Sequence, residues 1–120
     1  MSADFKPAPV KPTISKAAFD ALDVRVGRIE AVSDVEGSDR LVALTVDFGD
    51  HKRTIVAGIK QERDAHALVG RQLLFVVNME PRKMRGVTSE GMLFDIGYAD
   101  GILPALAVPE RDIPNGARAG

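Results

Sequence analysis

Three basic residues fall within four positions in the segment 78–92, between two stretches rich in apolar residues. They are Arg82, Lys83 and Arg85, and Gly86 follows them with the backbone freedom that a tight bend needs. The guanidinium fork of arginine matches the oxygens of a phosphate, and the lysine ammonium adds a compact positive charge. The spacing therefore predicts an anion-binding connection between two strands, with its cationic side chains displayed to solvent.

Four further residues accompany this cluster. Asn78 and Ser89 carry amide and hydroxyl groups that can hydrogen-bond to the sugars or base edges of a nucleic acid. Met84 lies inside the basic cluster, and Met92 begins an alternating apolar run at 92–98. Two alternatives stay open from the residues alone: a solvated basic loop in which Met84 packs inward, and a buried strand face that includes Met92.

Residues that would support catalysis or metal binding are scarce. The chain contains no cysteine, which excludes thiol nucleophiles, disulfides and thiolate zinc sites and fits a reducing compartment such as the cytoplasm. Neither His51 nor His66 has a second histidine at ligand spacing. Asp95 and Asp100 fit a strand surface and a turn. We therefore expect a protein that is not an enzyme and uses no metal or cofactor.

The composition is that of one globular domain with a local positive section. The chain has 120 residues, of which 45% are hydrophobic and 28% charged, and its formal net charge is -1. Residues 51–90, however, contain eight Lys or Arg and four Asp or Glu. No apolar stretch approaches the length of a membrane span, and residues 1–13 lack the apolar core of a secretory signal. We therefore expect a cytoplasmic protein, away from the membrane, whose basic middle section attracts polyanions.

The elements that must position the basic cluster are mostly short strands. Three prolines in residues 1–13 predict a flexible tail before a domain at 14–120, where Ser15 caps a short helix at 16–22. Strands are expected at 24–32, 42–48, 53–57, 73–77, 91–98 and 102–108, with a small helix at 64–68. A small helix between the third and fourth strands is typical of an all-β, five-stranded OB-fold Greek-key barrel.

Four parts of the sequence, in this order, resemble the tRNA-binding OB-fold domain family. They are Asp23-Val24-Arg25-Val26-Gly27-Arg28-Ile29, Val35-Glu36-Gly37-Ser38-Asp39-Arg40-Leu41, Val56-Ala57-Gly58-Ile59, and Pro81-Arg82-Lys83-Met84-Arg85-Gly86 with Ser89-Glu90-Gly91-Met92. Members of this family occur as stand-alone bacterial proteins, as C-terminal extensions of methionyl-tRNA synthetases and in the endothelial monocyte-activating polypeptide II group. The similarity extends over residues 14–119, and the part with the basic cluster is its most specific.

The resemblance implies a non-catalytic homodimer that binds the outer corner of folded tRNA by its shape, with an aminoacyl-tRNA synthetase as one candidate partner. By motif, the RNA-facing residues are Asn78, Arg82, Lys83, Met84, Arg85, Ser89 and Met92. The aromatic content agrees with recognition of folded RNA, because Phe48, Phe75 and Phe94 are expected on apolar strand faces. That placement leaves few platforms on which single-stranded bases could stack.

The end of the chain supports an alternative function. Residues 108–118 also resemble the CsaA branch of the same fold, whose members are export-related, chaperone-like proteins, whereas segments 56–59 and 89–92 are closer to the tRNA-binding branch. The alternative is therefore a CsaA-type chaperone that binds unfolded polypeptides in an apolar groove of the dimer. Its affinity for peptides should depend weakly on salt, because apolar burial would drive binding.

Overall fold

The computed structural model describes residues 4–120, and its N-terminal part contains the short helix that the sequence predicts. Helix α1 (Lys16–Asp20) begins after Ser15, whose hydroxyl accepts a hydrogen bond from the backbone amide three residues ahead at 3.0 Å. The tail predicted at 1–13 includes residues 1–3, which lie outside the described part of the chain.

Residues 4–120 contain ten β-strands. They are β1 (Val24–Asp34), β2 (Val42–Asp47), β3 (Lys52–Ala57), β4 (Gln72–Val76), β5 (Arg82–Met84), β6 (Val87–Ser89), β7 (Met92–Leu93), β8 (Asp95–Ile96), β9 (Ala105–Leu106) and β10 (Arg118–Ala119). Two 3-10 helices, Ala65–Leu68 and Tyr98–Asp100, complete the regular structure of this part of the chain. The first four predicted strands are confirmed to within two residues at each end.

The main sheet curls because β1 is shared between two neighbours. Its first half pairs with β4 and its second half with β2, both antiparallel, and the register shifts between Ile29 and Ala31. The sheet order is β3-β2-β1-β4-β7, with β10 also paired to β1. Strand β3 meets the chain just after β6, where the Glu90 amide donates to the Thr54 carbonyl at 2.8 Å. The result is the curled antiparallel barrel of the OB type that the sequence predicts.

Side chains at alternating strand positions fill the barrel. Val42, Leu44 and Val46 of β2 are buried and the residues between them are half-buried, which confirms the predicted period-2 pattern. The first 3-10 helix lies between β3 and β4, where the sequence predicts a helix at 64–68, and its Leu68 belongs to the same core cluster. The apolar core therefore lies under β3, the strand that contacts β6.

The C-terminal third differs from the two long strands expected at 91–98 and 102–108. Short strands form there, and the second 3-10 helix separates β8 from β9. The alternating apolar side chains from Met92 to Tyr98 are 39–62% exposed, which excludes the alternative of a buried strand face that includes Met92. The expectation that Phe94 lies on an apolar strand face is wrong, because it is 40% exposed and falls between β7 and β8. Gly97, with a φ of 105°, ends the extended backbone before a full-length strand can form.

Candidate nucleic-acid interface

The basic cluster lies on a two-stranded hairpin outside the main sheet. Strands β5 and β6 pair antiparallel with Lys83 opposite Thr88, and Arg85 and Gly86 form the two-residue turn. Their φ angles of 51° and 83° are those of a type I′ turn. Arg85 is the one non-glycine residue in the described chain with a positive φ, a conformation that costs an L-residue about 1–2 kcal/mol. The turn therefore holds an arginine at the hairpin tip.

The positive charges on this hairpin have no carboxylate partner in the part of the chain that the structure describes. Arg82, Lys83 and Arg85 are exposed, and no carboxylate of residues 4–120 lies within ion-pair distance of them. Seven other Lys or Arg side chains in that range do pair with Asp or Glu. The hairpin is therefore a local source of positive potential on a chain whose net charge is close to zero.

A groove of about 630 Å³ beside the hairpin brings several of the predicted residues together. We call it the hairpin groove, and its walls include Lys11, Arg40, Arg82, Met84, Met92 and Tyr98. Lys83 alternates with Arg82 along β5 and so lies on the opposite face of the hairpin. Met92 is 39% exposed, which excludes a core role for it. Three of the seven predicted contact residues thus share one surface, and two more flank it on the hairpin.

Asn78 and Ser89, which are both predicted to face RNA, form hydrogen bonds within the protein. The Asn78 amide oxygen accepts a hydrogen bond from the Asp23 amide at 2.9 Å, and its nitrogen donates to the Ala21 carbonyl at 2.6 Å. This side chain therefore ties the end of β4 to the chain that follows α1. Asn78 is exposed, and its oxygen and its nitrogen each hold one of these bonds, which fixes the orientation of the side chain.

The Ser89 side chain is 2% exposed and both of its hydrogen-bonding functions are used. Its hydroxyl oxygen accepts from the Val56 amide at 2.9 Å and its hydroxyl donates to the Gly91 carbonyl at 3.0 Å. The serine therefore fixes the base of the hairpin against β3 and cannot at the same time reach a ligand. We leave Asn78 and Ser89 out of the contact surface and treat both as positioning residues.

Arg53 is a positioning residue that the sequence did not single out. Its Nη1 donates to the Val77 carbonyl at 2.6 Å and to the Glu90 carbonyl at 3.1 Å, so one guanidinium joins the two ends of the segment that contains the hairpin. Its Nε donates to Nε2 of His51 at 3.1 Å. The other nitrogen of that ring hydrogen-bonds to Asp50, which lowers the pKa of the Asp50 carboxyl.

Arg40 is a groove residue that the sequence did not single out, and its guanidinium lies against Gly58. A Cβ atom at Gly58 would lie 2.7 Å from the Arg40 Nη2 atom, so the bare glycine makes room for the guanidinium at the groove wall. Both residues fall in segments that carry the family resemblance. Arg40 precedes β2 and Gly58 follows β3, and the pairing of these two strands brings the two residues together. Their spacing along the chain does not indicate this proximity.

The described residues hold no metal cluster. Residues 4–120 contain no group of three or more His, Asp or Glu side chains arranged to hold an ion. His51 instead stacks on Phe48 with ring centroids 5.5 Å apart, and His66 lies 3.7 Å from an Asp34 oxygen. Within the same residues, no helix has the length and apolar character that crossing a bilayer requires.

Comparison with known proteins supports a link to RNA. Residues 24–118 match a protein family described as "Putative tRNA binding domain". A methionine–tRNA ligase of Parabacteroides distasonis is 38% identical over 115 residues, which are 96% of this chain and 17% of that protein. The chain therefore spans less than a fifth of the ligase's length.

Solved structures of similar proteins match nearly the whole chain. A MetRS-related protein from Pyrococcus horikoshii has a TM-score of 0.85 and 33% identity, with 92% of this chain and 100% of that one covered. A CsaA chaperone protein from Picrophilus torridus has a TM-score of 0.78 and 26% identity, with 90% and 100% covered. The fold of this chain thus resembles that of a MetRS-related protein and that of a CsaA chaperone protein.

Proposed function

The chain belongs to the tRNA-binding domain family, and from this premise we propose that it is a non-catalytic protein that binds folded tRNA. The contact surface is the β5–β6 hairpin together with the hairpin groove. In this proposal Arg82, Lys83 and Arg85 engage phosphates, while Met84 and Met92 contribute apolar contact in the groove. Recognition of folded RNA through phosphates and 2′-hydroxyls suits a surface that is rich in charge and fixed in shape.

The observation that carries this proposal is that no carboxylate among residues 4–120 pairs with the hairpin cations. A carboxylate that pairs with an arginine or lysine cancels much of the positive potential that would attract a phosphate. Arg82, Lys83 and Arg85 have no such pair within residues 4–120, so their full charge is available to a polyanion. Each phosphate that they neutralise would release condensed counterions from the RNA.

We further propose that the protein acts as a cytoplasmic homodimer and assists an aminoacyl-tRNA synthetase. Phe19 and Leu22, in and just after α1, are 46% and 45% exposed, and an apolar contact with a second copy would cover them. Two hairpins in one dimer would double the number of phosphate contacts to a single tRNA. The match to part of a methionine–tRNA ligase supports a synthetase as the partner.

A titration of unfractionated tRNA with the purified protein tests the RNA proposal. We expect saturable binding whose affinity falls as salt is raised from about 50 to 200 mM, because counterion release drives contacts to phosphates. A DNA duplex of similar length is the matched control, since it has phosphates but lacks the 2′-hydroxyls and the tertiary shape. Failure to bind tRNA at the lower salt concentration, or equal affinity for both nucleic acids, would contradict the proposal.

Substitution of Ser89 tests whether this residue positions the hairpin or contacts RNA. In Ser89→Ala the Val56 amide loses its buried acceptor, so the free energy of unfolding should fall by about 1–3 kcal/mol. The slope of log affinity for tRNA against log salt should stay unchanged, because no phosphate contact is lost. Chemical denaturation and binding titrations measure the two quantities. A change in the slope with unchanged stability would show that Ser89 contacts RNA directly.

A second candidate function is a CsaA-type chaperone for unfolded polypeptides. It is favoured by the match to the CsaA protein and by a group of exposed apolar side chains in the C-terminal third. They are Phe94, Ile96, Tyr98, Ile102 and Leu103. Competition separates the two candidates: an excess of tRNA displaces a bound hydrophobic peptide only if both ligands use one surface, and peptide binding should be nearly independent of salt.

A further inference from the structure

The hairpin groove has an aromatic wall that the sequence did not predict. Phe94 and Tyr98 both line it, and they are 40% and 62% exposed because the strand expected at 91–98 is interrupted. Met84 and Met92 line the same groove. Two aromatic rings and two thioethers therefore form one accessible apolar surface. An exposed apolar surface that is surrounded by polar groups is typical of an interaction site.

The polar groups around this apolar wall are of two kinds. Lys11, Arg40 and Arg82 are cations without a carboxylate partner within residues 4–120. Glu62 and Asp95 also line the groove and offer acceptor oxygens. A nucleotide matches this combination, because its phosphate needs cations, its base presents a flat face, and the edge of the base has N–H groups that donate to carboxylates.

The size of the groove also suits a nucleotide. A volume of about 630 Å³ is within the range of sites that bind small molecules and cofactors. Folded RNAs expose unstacked bases in their loops, and proteins bind such bases by stacking them on aromatic side chains. A ligand held only by its phosphates would leave the aromatic wall in water.

We propose that the hairpin groove binds one unstacked base of the bound tRNA, with the base stacked on the Tyr98 ring and its flanking phosphates at Arg40 and Arg82. This inference rests on the proposed function, because the base is delivered by a tRNA that the hairpin already holds. Tyr98 is then a contact residue for RNA that neither charge nor motif spacing indicates. Stacking of one base should raise affinity for tRNA by about 5- to 150-fold.

The composition of the chain allows a direct optical test. Tyr98 is the single tyrosine and the chain has no tryptophan, so its intrinsic tyrosine emission reports on this ring alone. When the full-length protein is titrated with tRNA, we expect quenching of this emission that saturates with the bound fraction measured by filter retention. Free N-acetyl-tyrosinamide titrated with the same tRNA corrects for light absorbed by the RNA.

The tRNA affinities of three variants test the same stacking contact. We expect Tyr98→Leu to lose about 5- to 150-fold in affinity for tRNA with an unchanged salt slope, since no phosphate contact is removed. Tyr98→Phe retains a ring and should bind tRNA like the parent. Leu103→Ala shortens another exposed apolar side chain, which is 73% exposed and lies outside the groove wall, and should also bind like the parent.

The possible outcomes separate this inference from the proposed function. Two results would overturn the stacking site and leave tRNA binding intact. One is that the parent protein retains tRNA on the filter without quenching of its tyrosine emission, and the other is that Tyr98→Leu binds tRNA with parental affinity. No retention of tRNA at all would overturn both proposals. Quenching by a hydrophobic peptide but not by tRNA would assign the groove to a polypeptide and so also overturn the inference.

Discussion

Replacing Arg82, Lys83 and Arg85 together with alanine should weaken tRNA binding by about 10²- to 10³-fold at low salt, since each lost charge-assisted contact contributes about 1–1.5 kcal/mol. The slope of log affinity against log salt should become shallower by about 2–3 units, because each cation that neutralises a phosphate adds slightly less than one unit. Titrations at several salt concentrations measure both quantities.

Folding should be preserved in this triple variant. The three side chains are exposed and have no ion-pair partner among residues 4–120, so their removal breaks no ion pair within that range. Arg85 and alanine also face the same backbone penalty at a positive φ. Thermal unfolding followed by circular dichroism should therefore show a midpoint close to that of the parent.

A second triple variant separates local charge from net charge. Lys16, Arg71 and Arg111 are exposed and lie outside the hairpin, and their replacement by alanine changes the net charge by the same amount. We expect this control to bind tRNA with nearly parental affinity and slope. Equal losses in both triple variants would mean that overall charge, and not the hairpin, governs binding, and the assignment of the site would then be wrong.

Arg53→Met should destabilise the protein by about 2–4 kcal/mol, because two charge-assisted hydrogen bonds to backbone carbonyls are lost while the aliphatic part of the side chain is kept. The lost bonds join Val77 to Glu90, the two ends of the segment that carries the hairpin. Hydrogen exchange of the amides of β5 and β6 should therefore accelerate more than exchange in β1 and β2. Chemical denaturation and exchange experiments check the two effects.

Binding measurements distinguish this positioning role from a direct contact. In Arg53→Met the hairpin keeps its own cations, so tRNA affinity should fall by about tenfold, from the cost of ordering the hairpin, while the salt slope is unchanged. Arg53→Lys retains the charge, but it loses the Nε bond to His51 and its nitrogen ends one bond short of the Nη1 position that serves both carbonyls. It should therefore recover little of the loss. Full recovery with lysine, or unchanged exchange in the hairpin, would show that the guanidinium does not hold the hairpin in place.

The sequence was sufficient for those features that depend on neighbours along the chain. The alternation of buried and half-buried residues in β2 repeats every two residues, and Arg82, Lys83 and Arg85 lie within four positions. Both patterns can therefore be recognised from a few consecutive residues. The helix cap at Ser15 is equally local. The order of such elements, with a small helix between the third and fourth strands, was enough to predict the OB-type barrel.

Only the tertiary structure decided which side chains form the surface of the site. Ser89 is bonded to Val56 and Asn78 to Asp23, contacts that span 33 and 55 residues. The first holds a buried hydroxyl, and the second fixes the orientation of an exposed amide. The exposure of Tyr98 depends on where the strand after the hairpin stops and turns. Such contacts form only when strands that are distant in the sequence pair with each other. The stability of a pair depends on the residues of both strands, so the spacing of residues within one segment cannot predict these contacts.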